Sequence, residues 1–263
     1  MQTAILTQMF LTKAENAIVH LTANTSAKAG RFNILAAKPY QGNRKSKAKP
    51  PLLEACRQAL AQRENWLPEF EVVLHHRLEA DDGMIMDAYR LKEHGIIWSD
   101  DKDLRMTPYN YWCQDTQTVQ TGYGFGKLWL KELSSTTKCL GVGKKFFWAQ
   151  MLMGDTADNI AGVAKVDGKL CGPVGAFAVL DGINDESACA NRVLDCYRAI
   201  DQNPLPEGWL LWLLRWEGDT FWNYLHELEL TPANKKFIYD CANRQWFKQP
   251  EPQHEEEFED VGF

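Results

Sequence analysis

The chain has 263 residues, enough for one large domain or a domain and a half. Hydrophobic residues make up 45% of it, which provides for a core and excludes wholesale disorder, and no apolar run approaches the roughly 20 residues of a membrane span. Net charge is −6, but the last stretch, EPQHEEEFEDVGF, holds six acids and no lysine or arginine, so the body balances 29 acids against 29 bases.

In chain order, residues 3–15 predict a helix, and the opening MQTAILTQMFLTKAEN lacks the basic start, apolar block and cleavage site of a signal peptide. AIVHLT (17–22) predicts a short buried strand. Residues 28–49 carry Lys28, Arg31, Lys38, Arg44, Lys45, Lys47 and Lys49 with no acid. Gly30, Pro39, Gly42 and Pro50 break any period there, so the segment reads as a loop or mobile arch. A basic segment on a neutral body is a footprint for a polyanion, with a solvated loop as the plain alternative. A helix follows over 52–62, a strand over 70–76, an acid-headed helix over 80–93 and a strand over 95–99 that runs into DDKDL. Strand, helix, strand with a basic crossover suggests an α/β fold with a parallel sheet wrapped by helices. From about 143 the signals are nearly all helical, beginning with KKFFWAQMLM stopped by Gly154. WLLWLLRW places Trp209, Trp212 and Trp216 on one helix face, better suited to core packing than to base stacking. Seven cysteines, without a C-x-x-C pair, suggest free thiols, a reducing cytoplasm and no structural zinc.

Three groups of acids stand out. Glu79, Asp81 and Asp82 open the helix after strand 70–76; Asp100, Asp101 and Asp103 follow strand 95–99; Asp155 and Asp158 lie in MGDTADNIAGV. Acids in a first helical turn are ordinarily favoured by the helix dipole and by capping. In an open parallel sheet, however, functional groups gather past the carboxyl ends of the strands, which brings the first two groups to one edge. Asp101 and Asp103 share a face if extended, and Asp155 and Asp158 share one if helical. So many carboxylates in one place call for cations, and Mg²⁺ takes carboxylate and water oxygens.

EADD, SDDKDL and MGDTADNIAGV resemble, in order and spacing, the carboxylate motifs of the flap endonuclease and 5′-to-3′ exonuclease family, particularly its phage members. YQGNRK (40–45) is similar to that family's arch motif, and GPVGAFAVL (172–180) to the second half of its helix-two-turns-helix element. The resemblance runs from about 17 to 200 and implies a PIN/flap-nuclease-like α/β core with a helical C-terminal part. It implies a nuclease with two Mg²⁺ ions, or Mn²⁺ as substitute, hydrolysing DNA at 5′ ends or flaps in phage replication or degradation. Glu79, Asp81, Asp82 and Asp101 would hold one ion. Asp103, Asp155 and Asp158 would hold the other, sharing Asp101. Arg44 and Lys45 would meet the scissile phosphate, and Lys38, Tyr40, Lys47, Lys49, Gly172 and Gly175 would contact DNA. Asp100 matches no acid of the family.

Three departures accompany the likeness. The family opens with a strand ending in an Asp-Gly motif that has no counterpart here. Its next Asp is replaced by Thr22, Asn24 or Thr25, and its arch lysine by Gln41. These departures leave open a catalytically impaired DNA-binding protein on the same scaffold or one part of a split nuclease, and an acid-clustered ribonuclease is a weaker third reading. The expected organisation is an α/β core over 1–140 with a basic arch region at 26–50, a helical region over 141–248, and an acidic disordered tail over 249–263. The tail offers Phe258 and Phe263 as anchors for a replication partner. The expected setting has no membrane and is cytoplasmic, in a host cell if the gene is a phage's.

Overall fold

A computed structural model describes residues 1–44, 50–62, 66–122 and 124–248. Lys45, Lys47, Lys49 and the acidic tail therefore lie outside the described residues.

Helix α1 (Gln2–Thr12) stops where Lys13 turns left-handed, its N–H returning to the carbonyls of Met9 and Phe10. Strand β1 (Ala17–Thr22) follows, then a long connection containing helix α2 (Leu53–Ala61), then strand β2 (Phe70–His75). β1 and β2 pair in parallel, from Ala17 opposite Phe70 to Thr22 opposite His75. Helix α3 (Ala80–Leu91) begins at once after β2, and its start is defined by side chains. Glu79 and Asp82 form a reciprocal capping box, and the Ala80 N–H donates to Thr22 Oγ1 at 2.8 Å. Thr22 is thus a structural tie between β1 and α3. The helix lies so close to the strands that a Cβ on Gly83 would come within 2.3 Å of His75 Nε2 and 2.5 Å of His20 Nδ1. Only glycine fits there without displacing both rings.

The single wrapped sheet expected from the strand-helix-strand pattern is replaced, among the described residues, by three small sheets. β3 is only Ile96–Ile97 and pairs in parallel with β4 (Asn110–Cys113), which pairs antiparallel with β5 (Thr118–Gln120). β6 (Lys127–Glu132) and β7 (Thr137–Val142) make an antiparallel hairpin. Strands β4 to β7 gave no usable signal: β6, KLWLKE, is exposed at five of its six positions, so no buried face imposes a period of two. Strand structure accordingly runs to Val142, just past the expected start of the helical region.

The larger core belongs to that region. Helix α4 (Lys144–Met153) is buried from Lys145 to Leu152 and packs among α5 (Pro173–Leu180), α6 (Glu186–Ala199) and α7 (Leu205–Leu211). α8 (Phe221–His226) and α9 (Pro232–Ala242) complete the helices. Phe147, Trp148, Phe221 and Tyr224 are buried together, and the Trp148 indole donates to Tyr224 Oη at 3.0 Å. The tryptophans do not share one helix face. α7 ends at Leu211, and Trp212 is already extended, with φ −74° and ψ 125°. Trp212 stacks on Tyr224 at 4.4 Å, Trp209 lies against Trp246, and Trp216 is 45% exposed beneath the Arg215 guanidinium. Tertiary hydrogen bonds replace the helical ones here: the Trp212 carbonyl accepts from Arg31 and the Leu214 N–H donates to Asp82. This extended segment straps the helical part to α3.

Glu207 is buried on α7, where its Oε1 accepts the Ala37 N–H at 3.2 Å. Burial pushes its carboxyl up to about 7. The folded chain therefore holds a proton here that the unfolded chain releases near the ordinary carboxylate value. The stability tied to that proton is present in acid, and is lost as pH rises through about 7. Glu207→Gln keeps the acceptor and removes the charge. Urea unfolding should show the variant more stable than the parent at pH 8, by up to about 3 kcal/mol, with the gap closing toward pH 5. A gap independent of pH would exclude this cause.

All seven cysteines are free thiols, and no helix among the described residues is long and apolar enough to cross a membrane.

Candidate metal centre and nucleic-acid interface

Glu79 is the N-cap of α3 and Asp81 lies in its first turn, immediately after β2. Asp101 and Asp103 follow β3. They are not extended as expected: Asp101 Oδ1 accepts the Asp103 N–H at 2.9 Å, and a 3-10 turn over Asp103–Met106 begins there. Asp155 and Asp158 occupy a tight turn after α4 and not a helix, closed by a bridge between Asp155 and Ile160. Asp155 Oδ1 accepts the Ala157 N–H at 2.7 Å, which orients its carboxylate. The three groups act on one another electrostatically. Burial pushes the Asp81 carboxyl up to about 7, with Asp101, Glu79, Asp82 and Asp103 adding to the rise. Burial likewise lifts Asp103 to about 6; Lys102 opposes the rise, while Asp101 and Asp155 add to it. Asp158 is raised by burial, against Gln41 and Arg44, with Glu79 and Asp155 contributing upward. Seven acids from three chain segments, Asp82 among them, therefore share one field.

Most of these acids have an intrachain cation. Lys28 Nζ lies 3.1 Å from Glu79 Oε1, and Arg31 lies 3.1 Å from Glu79 Oε2. Lys102 Nζ bridges Asp155 at 2.6 Å and Asp103 at 3.2 Å. Arg44 pairs with Asp158 at 2.7 Å. Among the described residues no ion pair reaches Asp81 or Asp101. Among the described residues no three His, Cys, Asp or Glu side chains are drawn into a ready-made metal shell. Cationic side chains and hydrogen bonds occupy much of the acid cluster instead.

Asp82 plays a different part from the one expected. Its carboxylate takes both Arg31 amino groups at 2.7 Å, the Glu79 N–H at 3.0 Å and the Leu214 N–H at 3.2 Å. Burial alone would raise this wholly buried acid, but Arg31 and the two N–H groups outweigh it and hold the carboxyl low. Four partners leave it no free lone pair for a metal.

The basic segment is packed along much of 26–44 and is not a free arch there. Arg31 is 2% exposed, and Tyr40 is buried with its hydroxyl donating to Glu79 Oε2 at 2.7 Å. Tyr40 thus supports an acid from beneath. Residues 39–44 dock on the turn after α4: the Gln41 N–H donates to the Asp158 carbonyl, Gln41 Nε2 donates to Asp158 Oδ1, and Asn43 donates to the Thr156 carbonyl. Gln41 thereby holds Asp158 through both its backbone and its side chain. Lys28, Arg31 and Arg44 are committed to acids, whereas Lys38 is exposed. Beyond Asp158 a second tight turn closes between Val166 and Lys169, and α5 begins with Gly172 as N-cap and Pro173 in its first turn. Gly175 lies inside α5.

Two residues of the site escaped the sequence reading, Lys102 and Gln150. Lys102 was hidden in plain view between Asp101 and Asp103. Gln150 is the lone polar residue in the apolar run FFWAQMLM, and it is wholly buried. A buried polar side chain requires partners, which was the available signal. Its Nε2 donates to Asp103 Oδ1 at 2.9 Å and Asp155 Oδ2 at 3.1 Å.

No protein-family model matches the sequence, and no curated protein matches it. The crystal structure of the T5 D15 protein co-crystallised with metal ions is similar at 14% sequence identity, with a TM-score of 0.49, over 92% of this chain and 90% of that one.

Proposed function

We propose that the protein is a divalent-metal-dependent nuclease acting on DNA with a 5′ end or flap. The observation that carries this reading is the convergence of Glu79, Asp81, Asp101, Asp103, Asp155 and Asp158 from three separate chain segments into one electrostatic field. Such mutual repulsion is costly, and hard cations relieve it. The donor set is all carboxylate oxygen, which fits Mg²⁺ or Mn²⁺ and not zinc. Asp81 and Asp101, free of ion pairs among the described residues, are the first donors, with Glu79, Asp103, Asp155 and Asp158 beside them. When bound, divalent ions supply a water of lowered pKa and stabilise charge on the phosphodiester oxygens. The remaining tasks belong to the chain. Tyr40 and Arg31 hold Glu79, Gln41 and Arg44 hold Asp158, and Gln150 holds Asp103 and Asp155. Lys38 and the helix start at Gly172 would meet DNA phosphates outside the acid cluster. Asp82 belongs to the scaffold. The motif likeness to the flap endonuclease family supports the same reading.

The full chain should cut a 5′-labelled flapped duplex in Mg²⁺ and leave it intact in excess EDTA. Absence of cleavage of both flapped and blunt-ended DNA, across Mg²⁺ and Mn²⁺, would sink the catalytic part of the proposal. The intrachain cations favour one second reading, a DNA-binding scaffold whose acids are neutralised without metal. Metal-independent binding to the same flap without any cleavage would select it.

A further inference from the structure

Lys102 and Gln150 close a ring with the two acids between them. The ammonium lies 2.6 Å from Asp155 Oδ2 and 3.2 Å from Asp103 Oδ1. Gln150 Nε2 donates to the same two oxygens from the buried side. Lys102 comes from the open side, with 42% of its side chain exposed, while Asp155 is 5% exposed. The Gln150 Oε1 atom is buried and without a hydrogen-bond partner. An orphaned carbonyl oxygen beside two carboxylates is a donor for a cation, and the amide can present either end by turning about its last torsion.

We propose that Lys102 is a resident counter-cation that competes with a divalent ion for Asp103 and Asp155. Without the ion, the ammonium offsets one of the pair's two negative charges and Gln150 Nε2 donates to both oxygens. With an ion held by Asp103 and Asp155, the ammonium would be released and Gln150 would turn Oε1 toward the site. The freed lysine is then left on the open side, where a nucleic-acid phosphate would approach. Metal binding and release of a positive charge toward substrate become one event, and the acids stay satisfied when the ion is absent. This inference rests on the metal-dependent reading above.

The competition has a direct readout in binding of the metal alone. Mn²⁺ titration of the full chain, followed by calorimetry or by the electron paramagnetic resonance of free Mn²⁺, is compared for the parent, Lys102→Met, Lys102→Gln and Lys102→Arg. The neutral variants should bind Mn²⁺ about three- to tenfold more tightly, because a partly exposed ion pair no longer has to be broken. In EDTA they should unfold at lower temperature than the parent, and Mn²⁺ should raise their midpoint by more. Lys102→Arg should stay close to the parent. Should one neutral variant fail to fold in EDTA, recovery on adding Mn²⁺ supports the proposal, and the other neutral variant provides the affinity. Neutral variants that bind Mn²⁺ equally or more weakly than a parent that binds it would overturn the counter-cation role while leaving the metal reading intact. If neither the parent nor the neutral variants bind Mn²⁺, the metal reading fails, and this inference with it.

Discussion

Asp81→Asn is expected to abolish Mg²⁺-dependent cleavage while making the metal-free chain harder to unfold. Asp81 is the acid most crowded by its own kind. Burial and the charges of Asp101, Glu79, Asp82 and Asp103 push its carboxyl up to about 7, and no described cation pairs with it. Charge at that position therefore opposes folding at pH 8, and an amide of the same shape removes the opposition. The expected gain in EDTA is roughly 1–3 kcal/mol at pH 8, shrinking as pH falls below about 7 and closing near the ordinary carboxylate value, where the unfolded chain holds the proton too. Cleavage should fall by more than the roughly 10–100-fold that loss of a supporting group near a metal costs. The pairing of a stability gain with an activity loss is the informative part, because residues kept for function commonly oppose stability. Urea unfolding in EDTA and cleavage of a flapped duplex in Mg²⁺ test the two halves. A variant that cuts at the parent rate would remove Asp81 from the proposed centre, and a variant less stable at pH 8 would show that its charge is compensated in the fold.

Arg31→Met should destabilise the chain by about 3–5 kcal/mol, the usual cost of leaving a buried charge without its partner. Arg31 is 2% exposed and Asp82 wholly buried, joined by two bonds of 2.7 Å, and Arg31 also donates to Glu79 and to the Trp212 carbonyl. One side chain thus ties the start of α3, the basic segment and the extended strap after α7. Adding Asp82→Asn should recover much of the loss. The stranded negative charge is then gone, and an amide oxygen can still accept the Glu79 N–H. Urea midpoints at constant slope report both values. A loss below about 1 kcal/mol for Arg31→Met, or no recovery in the double variant, would mean that the pair is not what holds these three segments together.

Much of the local structure was legible in advance because it follows from local periodicity. β1, α2, β2, α3 and the end of α4 lie within a few residues of their expected places, and each has a periodic apolar face or a stop signal such as Gly154. The stretch from 110 to 142 was not legible. β4 and β5 are only four and three residues long, and β6 is solvent-exposed at most positions, so little in the order of residues marks a buried side. The tryptophan segment misled for the opposite reason. Its helical spacing is real, but hydrogen bonds from Arg31 and to Asp82 outcompete the last helical turns and pull 212–214 into an extended strap.

For the site, the residue types and their order alone show which groups are on hand: three clusters of acids, a basic stretch, and a body neutral once the tail is set aside. They could not determine who neutralises whom. Asp82 reads from sequence as the equal of Asp81, yet one is wholly paired with Arg31 and the other stands among like charges. Lys28, Arg31 and Arg44 read as a surface for a polyanion, yet they turn inward to Glu79, Asp82 and Asp158. Charge pairing depends on distances between residues that lie 51 to 114 positions apart, and on the burial that removes competing water. Neither is encoded in local pattern. Both arise only when β1, β2, α3 and the turn after α4 are packed together.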